Sequence, residues 1–203
     1  TGKLSKILIK TFSKFPEFFS NSNIFLYEKS KKLELIQKNN LKDQKVKWIK
    51  NLNKLKDGPT FFFGNEFFDA IPIKQYKKVK GEFFEVFVKL DKNLKIKYKL
   101  KKIDKKVINE LKQFDLIKNR SFIEYPKMGL EELALISKII KKNGGGIMLV
   151  DYGFLKQKNV NTLQSVKDNK KNDLFKHIGN ADITSLVNFN ILKKYFKKKK
   201  LFV

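Results

Sequence analysis

The stretch from Gly58 to Tyr76 constrains the fold most, because an aromatic run of strand type there ends abruptly in polar residues. Asn65, Glu66 and Asp69 follow the run directly. In open α/β sheets, ligands bind beyond the carboxyl ends of the strands, so this amide and these carboxylates are candidate ligand contacts. Asn and Asp also commonly form turns, and the spacing alone leaves both interpretations open.

Helices and strands alternate from the start of the chain. Helical spacing of apolar residues predicts an amphipathic helix over Lys3–Lys14, with Gly2 just before it. A short apolar strand is expected over Ile24–Tyr27, ending at Glu28, and Ser30 is placed to cap the next helix. The apolar positions of that helix are Leu33, Ile36 and Leu41. A further strand is expected over residues 46–49, followed by a loop over residues 51–59.

The second half of the chain continues this alternation after an interruption. Residues 73–100 are rich in β-type residues and predict antiparallel strands, which we interpret as an insertion in a single domain spanning residues 1–203. Pro126 begins a helix that ends at three glycines, and Ile147–Val150 is expected to be a buried parallel strand that ends in Asp151. A polar loop and a final helix near Thr184–Phe196 follow. The whole pattern predicts a doubly wound α/β sheet.

Composition excludes several classes of function. The chain has a formal net charge of +26, but Arg120 is its only arginine, whereas phosphate-binding proteins usually also use arginine forks. We therefore attribute the lysine content to coding drift and do not expect nucleic acid as a partner. Cysteine is absent, which excludes disulfides and thiolate chemistry, and a single histidine, His177, gives no metal-ligand pattern. No stretch is apolar enough to span a bilayer, so a soluble protein is expected.

Glu28 is the most informative single carboxylate. Glu28 follows the strand that comes after a helix starting at a glycine. In nucleotide-binding folds the corresponding strand is the second of the sheet, and an acidic residue at its tip holds the ribose hydroxyls. The alternative is a surface carboxylate that favours the start of the following helix through the macrodipole. The residues thus favour a ribose-bearing cofactor without deciding the chemistry.

Several segments together resemble the MidA family of S-adenosylmethionine-dependent methyltransferases. The resemblance covers nearly the whole chain and is most specific in GNEFFDAIPIKQY and GGGIMLVDYG. It continues in TGKLSKIL, IFLYEKSKKL, VKWI, EYP, NTLQSV and GNADITSLVNF. It implies a Rossmann-like class I methyltransferase sheet with the antiparallel β insertion, and S-adenosylmethionine as the cofactor.

The resemblance also implies roles for individual residues. Those expected to contact the cofactor are Gly2, Glu28, Trp48, Ile49 and Asn65. Those expected at the catalytic centre are Asn65, Glu66 and Asp69, with Asp69 bracing the turn. Glu66, helped by Glu124 or Asp151, is expected to hold a cationic guanidinium by charge-assisted hydrogen bonds. No metal is required for methyl transfer that depends on proximity and orientation.

The family further implies methylation of an arginine in a protein substrate, with a respiratory complex I subunit as the expected target. The location would then be the cytoplasm in a bacterium or the mitochondrial matrix in a eukaryote. Because the chain begins inside the cofactor loop, we expect an internal, truncated fragment that depends on preceding residues for full activity. A non-catalytic assembly or RNA-binding module on the same fold, and another nucleotide-dependent enzyme, remain alternatives.

Overall fold

The computed structural model describes residues 1–55, 58–156 and 158–203. The chain forms two compact units, Thr1–Asp57 and Gly58–Val203. Residues 56 and 57, in the loop predicted over residues 51–59, and residue 157, in the predicted polar loop, lie outside the described residues. The assignment of residues 1–203 to one domain with an insertion over 73–100 remains a prediction.

The first unit contains a parallel strand pair connected through a helix. Its elements are α1 (Lys3–Phe12), α2 (Pro16–Ser20), β1 (Ile24–Tyr27), α3 (Lys31–Asn40), β2 (Val46–Ile49) and a 3-10 turn (Leu52–Lys54). The pairing of Tyr27 with Ile49 brings the last residues of β1 and β2 side by side. α3 begins as predicted, because the Ser30 hydroxyl accepts a hydrogen bond from the Leu33 amide at 3.3 Å. This β-α-β arrangement matches the α/β prediction.

The buried side of α3 differs from the prediction. Leu41 is buried as expected, but Leu33 and Ile36 are 39% and 37% exposed. The half-buried positions of the helix are Glu34 and Gln37 instead. Residues 34, 37 and 41 have helical spacing and so share one side of the helix. Glu34 forms an ion pair with Lys38 and Gln37 donates a hydrogen bond to Glu28, and these interactions determine the buried side in place of the apolar pattern of the neighbouring face.

The second unit combines parallel strand pairs with an antiparallel sheet. Its first elements are β3 (Thr60–Asn65), β4 (Lys74–Val79), β5 (Glu82–Leu90), β6 (Ile96–Lys102), α4 (Lys105–Lys112), β7 (Phe122–Tyr125), α5 (Lys127–Asn143) and β8 (Gly145–Val150). Its last are β9 (Gly153–Phe154), β10 (Gln164–Lys167), β11 (Lys170–Asn172), β12 (Asp182–Thr184), β13 (Val187–Asn188) and α6 (Phe189–Lys198). Among the described residues, no helix combines the length and apolar character needed to cross a membrane.

β3 and β8 are parallel neighbours, so their carboxyl ends, where the predicted site residues follow, lie at the same edge of the pair. Their register runs from Thr60 opposite Gly145 to Asn65 opposite Val150, and α5 packs against β3. β8 is not buried on both faces as predicted, because Met148 is 58% exposed. Met148 and Val150 are exposed, and Ile147 and Leu149 on the other face are half-buried.

The predicted antiparallel strands form a separate four-stranded sheet in the order β6-β5-β4-β7. The prediction of antiparallel strands after residue 73 is confirmed, and β7 joins them through its pairing with β4. Tyr76 on β4, together with Ile123 and Tyr125 on β7, is buried in the core. Burial raises the pKa of both tyrosine hydroxyls far above their ordinary range, so both are neutral.

The final helix begins later than predicted. The segment from Thr184 to Asn188, expected to be helical, instead contains the end of β12 and all of β13. Thr184 pairs with Gln164 and Val187 pairs with Gly153, so long-range strand pairing determines this segment. α6 starts at Phe189, where the Asn188 side chain accepts a hydrogen bond from the Ile191 amide at 3.3 Å.

Candidate functional site

The predicted cofactor residues of the first unit lie at the carboxyl ends of two paired strands. Glu28 directly follows β1, and Trp48 and Ile49 are the last two residues of the adjacent β2. Glu28 and Trp48 are half-buried, whereas Ile49 is buried. Ile49 is therefore a core residue, and Glu28 and Trp48 are the side chains accessible to a ligand.

The Glu28 carboxylate is held in place by two hydrogen bonds. Oε1 accepts from the Ser30 amide at 2.9 Å, and Oε2 accepts from Nε2 of Gln37 at 3.0 Å. The first bond is what a carboxylate at the start of a helix would make. A carboxylate offers about four acceptor positions, so each oxygen retains capacity for one ligand hydroxyl. This arrangement is compatible with a vicinal diol.

Gln37 is a site residue that the sequence analysis missed. Its Oε1 accepts a hydrogen bond from the Trp48 indole Nε1 at 3.1 Å, while its Nε2 donates to Glu28. It therefore joins the carboxylate on one strand end to the indole on the other. The available signal was its spacing from Leu41, which places both residues on the same side of α3.

Gly2 has a packing role at the start of α1. Its φ of 84° lies in the left-handed region, and a Cβ built on it would lie 3.2 Å from Cδ1 of Leu41. The Asn40 side chain also donates to the carbonyl of Thr1 at 2.9 Å. Gly2 thus lets the chain before α1 approach the end of α3, which is compatible with a closing glycine of a cofactor loop.

In the second unit, the predicted catalytic residues lie at the carboxyl edge of the β3–β8 pair. Asn65 is the last residue of β3 and lies opposite Val150, the last residue of β8. Asp151 directly follows Val150 in the chain. The Glu66 amide donates to the carbonyl of Val150 at 2.9 Å, which continues the pairing by one residue. Asn65 and Glu66 are both exposed. Glu66 has a φ of 48°, a left-handed conformation that is costly for a residue other than glycine and is concentrated at functional sites.

Asp151 fixes the turn that follows Glu66. Its Oδ2 accepts hydrogen bonds from the amides of Phe68 at 2.8 Å and Asp69 at 3.3 Å. The Phe68 ring is buried at 3% exposure, and a Cβ on Gly129 of α5 would lie 2.5 Å from it. A side chain at position 129 would therefore displace the ring and the turn that carries it.

Asp69 lies within a group of carboxylates. It is half-buried, and partial burial raises its pKa above the ordinary value, with further contributions from the charges of Asp151, Glu66 and Asp182. Its carbonyl accepts a hydrogen bond from the Ser185 amide at 3.0 Å. Three carboxylate charges therefore act on Asp69 at this edge, although the chain as a whole carries a formal charge of +26.

The Glu124 carboxylate accepts hydrogen bonds from Gln75 and Thr162 of the second unit. Glu124 is opposite Gln75 in the β4–β7 pair and accepts from that side chain at 2.9 Å. It also accepts from the Thr162 amide at 3.0 Å and the Thr162 hydroxyl at 2.5 Å. Among the described residues, no hydrogen bond or ion pair of Glu124 reaches Glu66 or Asp151. Its predicted role in substrate binding remains a prediction, and its observed contacts hold the segment around Thr162.

Comparisons with known proteins identify the family and the fold. The family described as "Putative S-adenosyl-L-methionine-dependent methyltransferase" matches residues 1–203. "Protein arginine methyltransferase NDUFAF7 homolog, mitochondrial" of Caenorhabditis elegans is 30% identical over 155 residues, which cover 75% of this chain and 36% of that protein. The Xenopus tropicalis NDUFAF7 protein is 24% identical over 219 residues, covering 95% of this chain and 50% of its own length. The chain thus spans half or less of these two relatives.

Solved structures show the same fold. A methyltransferase-like protein of Burkholderia thailandensis, bound to S-adenosyl-homocysteine, superposes with a TM-score of 0.78 at 19% identity, over 98% of this chain and 53% of that one. A native crystal structure of an uncharacterized protein from the same organism gives a TM-score of 0.79 at 18% identity, covering 98% of this chain and 55% of that one. The predicted Rossmann-like α/β fold is confirmed. Because the family match extends over every residue, the chain belongs to the S-adenosyl-L-methionine-dependent methyltransferase family.

Proposed function

We propose that the protein transfers a methyl group from S-adenosylmethionine to an arginine of a protein substrate. The observation that carries this proposal is Glu28, a half-buried carboxylate at the carboxyl end of β1 whose two oxygens each make one internal hydrogen bond. Two acceptor positions remain for the two hydroxyls of a ribose. A carboxylate that only started the next helix would not need the second hydrogen bond from Gln37.

The first unit supplies the residues that suit the cofactor. Glu28 would accept hydrogen bonds from the ribose, and Trp48 on the neighbouring strand would lie beside the adenine. Gly2 would let the chain at the start of α1 approach closely. When bound, the cofactor supplies a methyl group on a positively charged sulfur.

The carboxylates of the second unit favour a cationic acceptor. Glu66, Asp69 and Asp151 follow β3 and β8 within a few residues, and their mutual repulsion contributes to the raised pKa of Asp69. A guanidinium would relieve this repulsion and could form paired hydrogen bonds with the exposed Glu66. Glu66 would orient the guanidinium nitrogen that receives the methyl group, and the proton lost from that nitrogen would pass to solvent at this exposed position. Asn65, which directly precedes Glu66, is proposed as part of the same catalytic centre.

The names of the relatives support the finer assignment. The Caenorhabditis elegans and Xenopus tropicalis relatives are both named as protein arginine methyltransferases, and both names include the word mitochondrial. We accordingly propose a protein substrate, with a respiratory complex I subunit as the first target to test. The corresponding location is the mitochondrial matrix in a eukaryote and the cytoplasm in a bacterium.

Calorimetry on the full-length protein tests the proposal. The unmodified protein should bind S-adenosylhomocysteine, and Glu28→Ala should weaken that binding by at least about tenfold, since hydrogen bonds to a charged group contribute about 1.5–3 kcal/mol. Glu17→Ala, which removes an exposed carboxylate from α2, is the matched control and should bind normally. If the unmodified protein does not bind S-adenosylhomocysteine, the proposal is wrong.

One observation favours RNA binding as a second candidate. Lys97, Lys99 and Lys101 alternate along β6 and therefore share a face, on which Lys89 lies directly opposite Lys97. Like charges opposite each other disfavour the pair. The Asp91 carboxylate, 2.9 Å from Nζ of Lys97, offsets part of this repulsion, and an RNA phosphate would offset the rest. An RNA-binding function predicts an affinity that falls steeply with salt concentration. A shallow salt dependence in a filter-binding titration, unchanged by Lys99→Gln, would exclude it.

A further inference from the structure

We infer that Gln37 is a positioning residue for the adenosine half of the cofactor, which rests on the methyltransferase function proposed above. It makes hydrogen bonds with two half-buried side chains at the strand ends of the first unit, Glu28 and Trp48. These two residues are 20 positions apart in sequence and lie on different strands. The pairing of β1 with β2 brings their backbones together, and Gln37, on the helix that connects the strands, links the two side chains.

The hydrogen bonds fix the orientation of the Gln37 amide. A carboxylate only accepts hydrogen bonds, and an indole nitrogen only donates one. The amide must therefore direct its NH₂ group to Glu28, at 3.0 Å, and its oxygen to Trp48, at 3.1 Å. Among side chains of this length, glutamine alone offers both a donor and an acceptor while remaining neutral. A glutamate at position 37 would repel Glu28, and a methionine would bind neither partner.

The surroundings restrict the same two residues from other sides. The Glu28 carbonyl accepts a hydrogen bond from Nζ of Lys50 at 2.7 Å, and the Lys38 ammonium lies 5.7 Å from the centre of the Trp48 ring. Because Gln37 occupies the indole N–H, that group is unavailable to a ligand. Trp48 would therefore contact adenine through its ring, and Glu28 would remain aimed at the ribose hydroxyls.

The test uses Trp48 as a reporter, since it is the only tryptophan of the chain. In the ligand-free full-length protein, or in a variant with any further tryptophans replaced, Gln37→Met should shift the Trp48 emission to shorter wavelength, because the indole loses its acceptor. Gln37→Glu should leave the emission close to that of the unmodified protein, because a carboxylate oxygen still accepts from the indole. A purely structural role of Gln37 would not separate these two variants.

Binding of adenosine and of S-adenosylhomocysteine supplies the second readout. Both variants should weaken both ligands by about tenfold, since each leaves Glu28 without its side-chain donor. Asn39→Met is the control, because it removes an exposed amide two residues away that makes no hydrogen bond within the described part of the chain. Far-ultraviolet circular dichroism verifies that each variant is folded.

The outcomes separate the inference from the function on which it rests. If the unmodified protein binds both ligands and both Gln37 variants bind equally well, the inference is overturned while the methyltransferase proposal stands. An unchanged Trp48 emission in folded Gln37→Met also overturns it, because the hydrogen bond to the indole would then be absent in solution. If the unmodified protein binds neither ligand, the proposed function fails and the inference fails with it.

Discussion

The strand ends of the two units present their acidic residues in opposite ways. In the first unit, Glu28 receives hydrogen bonds from Ser30 and Gln37, and Gln37 is in turn bound to Trp48. In the second unit, Glu66 is exposed, has a left-handed backbone and is preceded by the exposed Asn65. The first group is therefore ordered by its own side chains before any ligand arrives, whereas Glu66 has a left-handed backbone and an exposed side chain.

This difference suggests a division of labour. A preorganised carboxylate loses little conformational freedom when a neutral ribose binds, which favours affinity. An exposed carboxylate on a strained turn can approach a charged acceptor and leave it again after reaction. We therefore expect changes in the first unit to affect cofactor affinity and changes at Glu66 to affect turnover.

The largest effect is expected for Glu66→Gln. If Glu66 holds the acceptor as proposed, losing its charge should lower kcat/KM for an arginine-containing protein substrate by about a hundredfold, because small losses of alignment have effects of that size. Affinity for S-adenosylhomocysteine should stay within about twofold, and Glu131→Gln on the exposed side of α5 should change neither quantity. An equal loss of affinity and turnover in Glu66→Gln would remove the distinction between the two units.

Asp151→Ala should have the next largest effect, on stability. Two amides of the turn, those of Phe68 and Asp69, would lose their acceptor in a partly buried place. The expected loss in the free energy of unfolding is about 2 kcal/mol, measured by urea denaturation. Asp151→Asn keeps one acceptor oxygen and should lose clearly less. If both variants lose the same amount, the charge of Asp151 rather than its hydrogen bonds stabilises the turn.

Local signals in the sequence predicted most of the fold. Ser30 and Pro126 begin their helices where expected, Gly144 follows the end of α5, and β1 has the predicted bounds. Each of these boundaries is set by residues within a turn of it, so the sequence contains the whole cause. The final helix was misplaced because Thr184 and Val187 pair with strands far away in sequence, which no local pattern encodes.

The features of the candidate site also divide into those set by local sequence and those set by long-range contacts. The residues at strand ends could be predicted, because a strand that stops at a carboxylate is visible in sequence. The partners of those residues could not be predicted, because these hydrogen bonds join different elements. Asp151 accepts from amides more than eighty positions away, and Gln37 on α3 accepts from the Trp48 indole on β2. Tertiary structure alone also shows that Glu124 holds Thr162.

Thr162→Val tests whether Glu124 belongs to the scaffold of the second unit. The Thr162 hydroxyl donates to Oε2 of Glu124 and accepts from the Leu186 amide at 3.0 Å, so its removal takes one donor from the Glu124 carboxylate and the acceptor from the Leu186 amide. We expect a loss of about 1 kcal/mol in the free energy of unfolding, with unchanged affinity for S-adenosylhomocysteine. Thr11→Val, which removes an exposed hydroxyl from α1 in the first unit, should have almost no effect. A similar loss in both variants would mean that the buried network contributes no more than an exposed hydroxyl.

The smallest effect, a pH-dependent one, should have opposite signs in the two units. Partial burial and the neighbouring Asp151 raise the pKa of Asp69 in the folded protein. Protonated Asp69 is therefore favoured by folding, and this favourable contribution is complete below the unfolded pKa near 4 and lost as the pH rises through the folded pKa. Asp69→Asn should accordingly raise stability at neutral pH by less than about 1 kcal/mol, and the gain should vanish in acid.

Glu34→Gln in the first unit is the counterpart. Hydrogen bonds from Lys38 and Lys50 lower the pKa of Glu34, so its contribution is present above the unfolded pKa and lost as the pH falls through the folded value. This variant should be less stable than the unmodified protein at neutral pH, and the difference should vanish in acid. Thermal unfolding between pH 3 and 8 compares both variants. If Asp69→Asn also destabilises at neutral pH, the carboxylates after β3 and β8 do not repel one another, and the electrostatic argument for a cationic acceptor is lost.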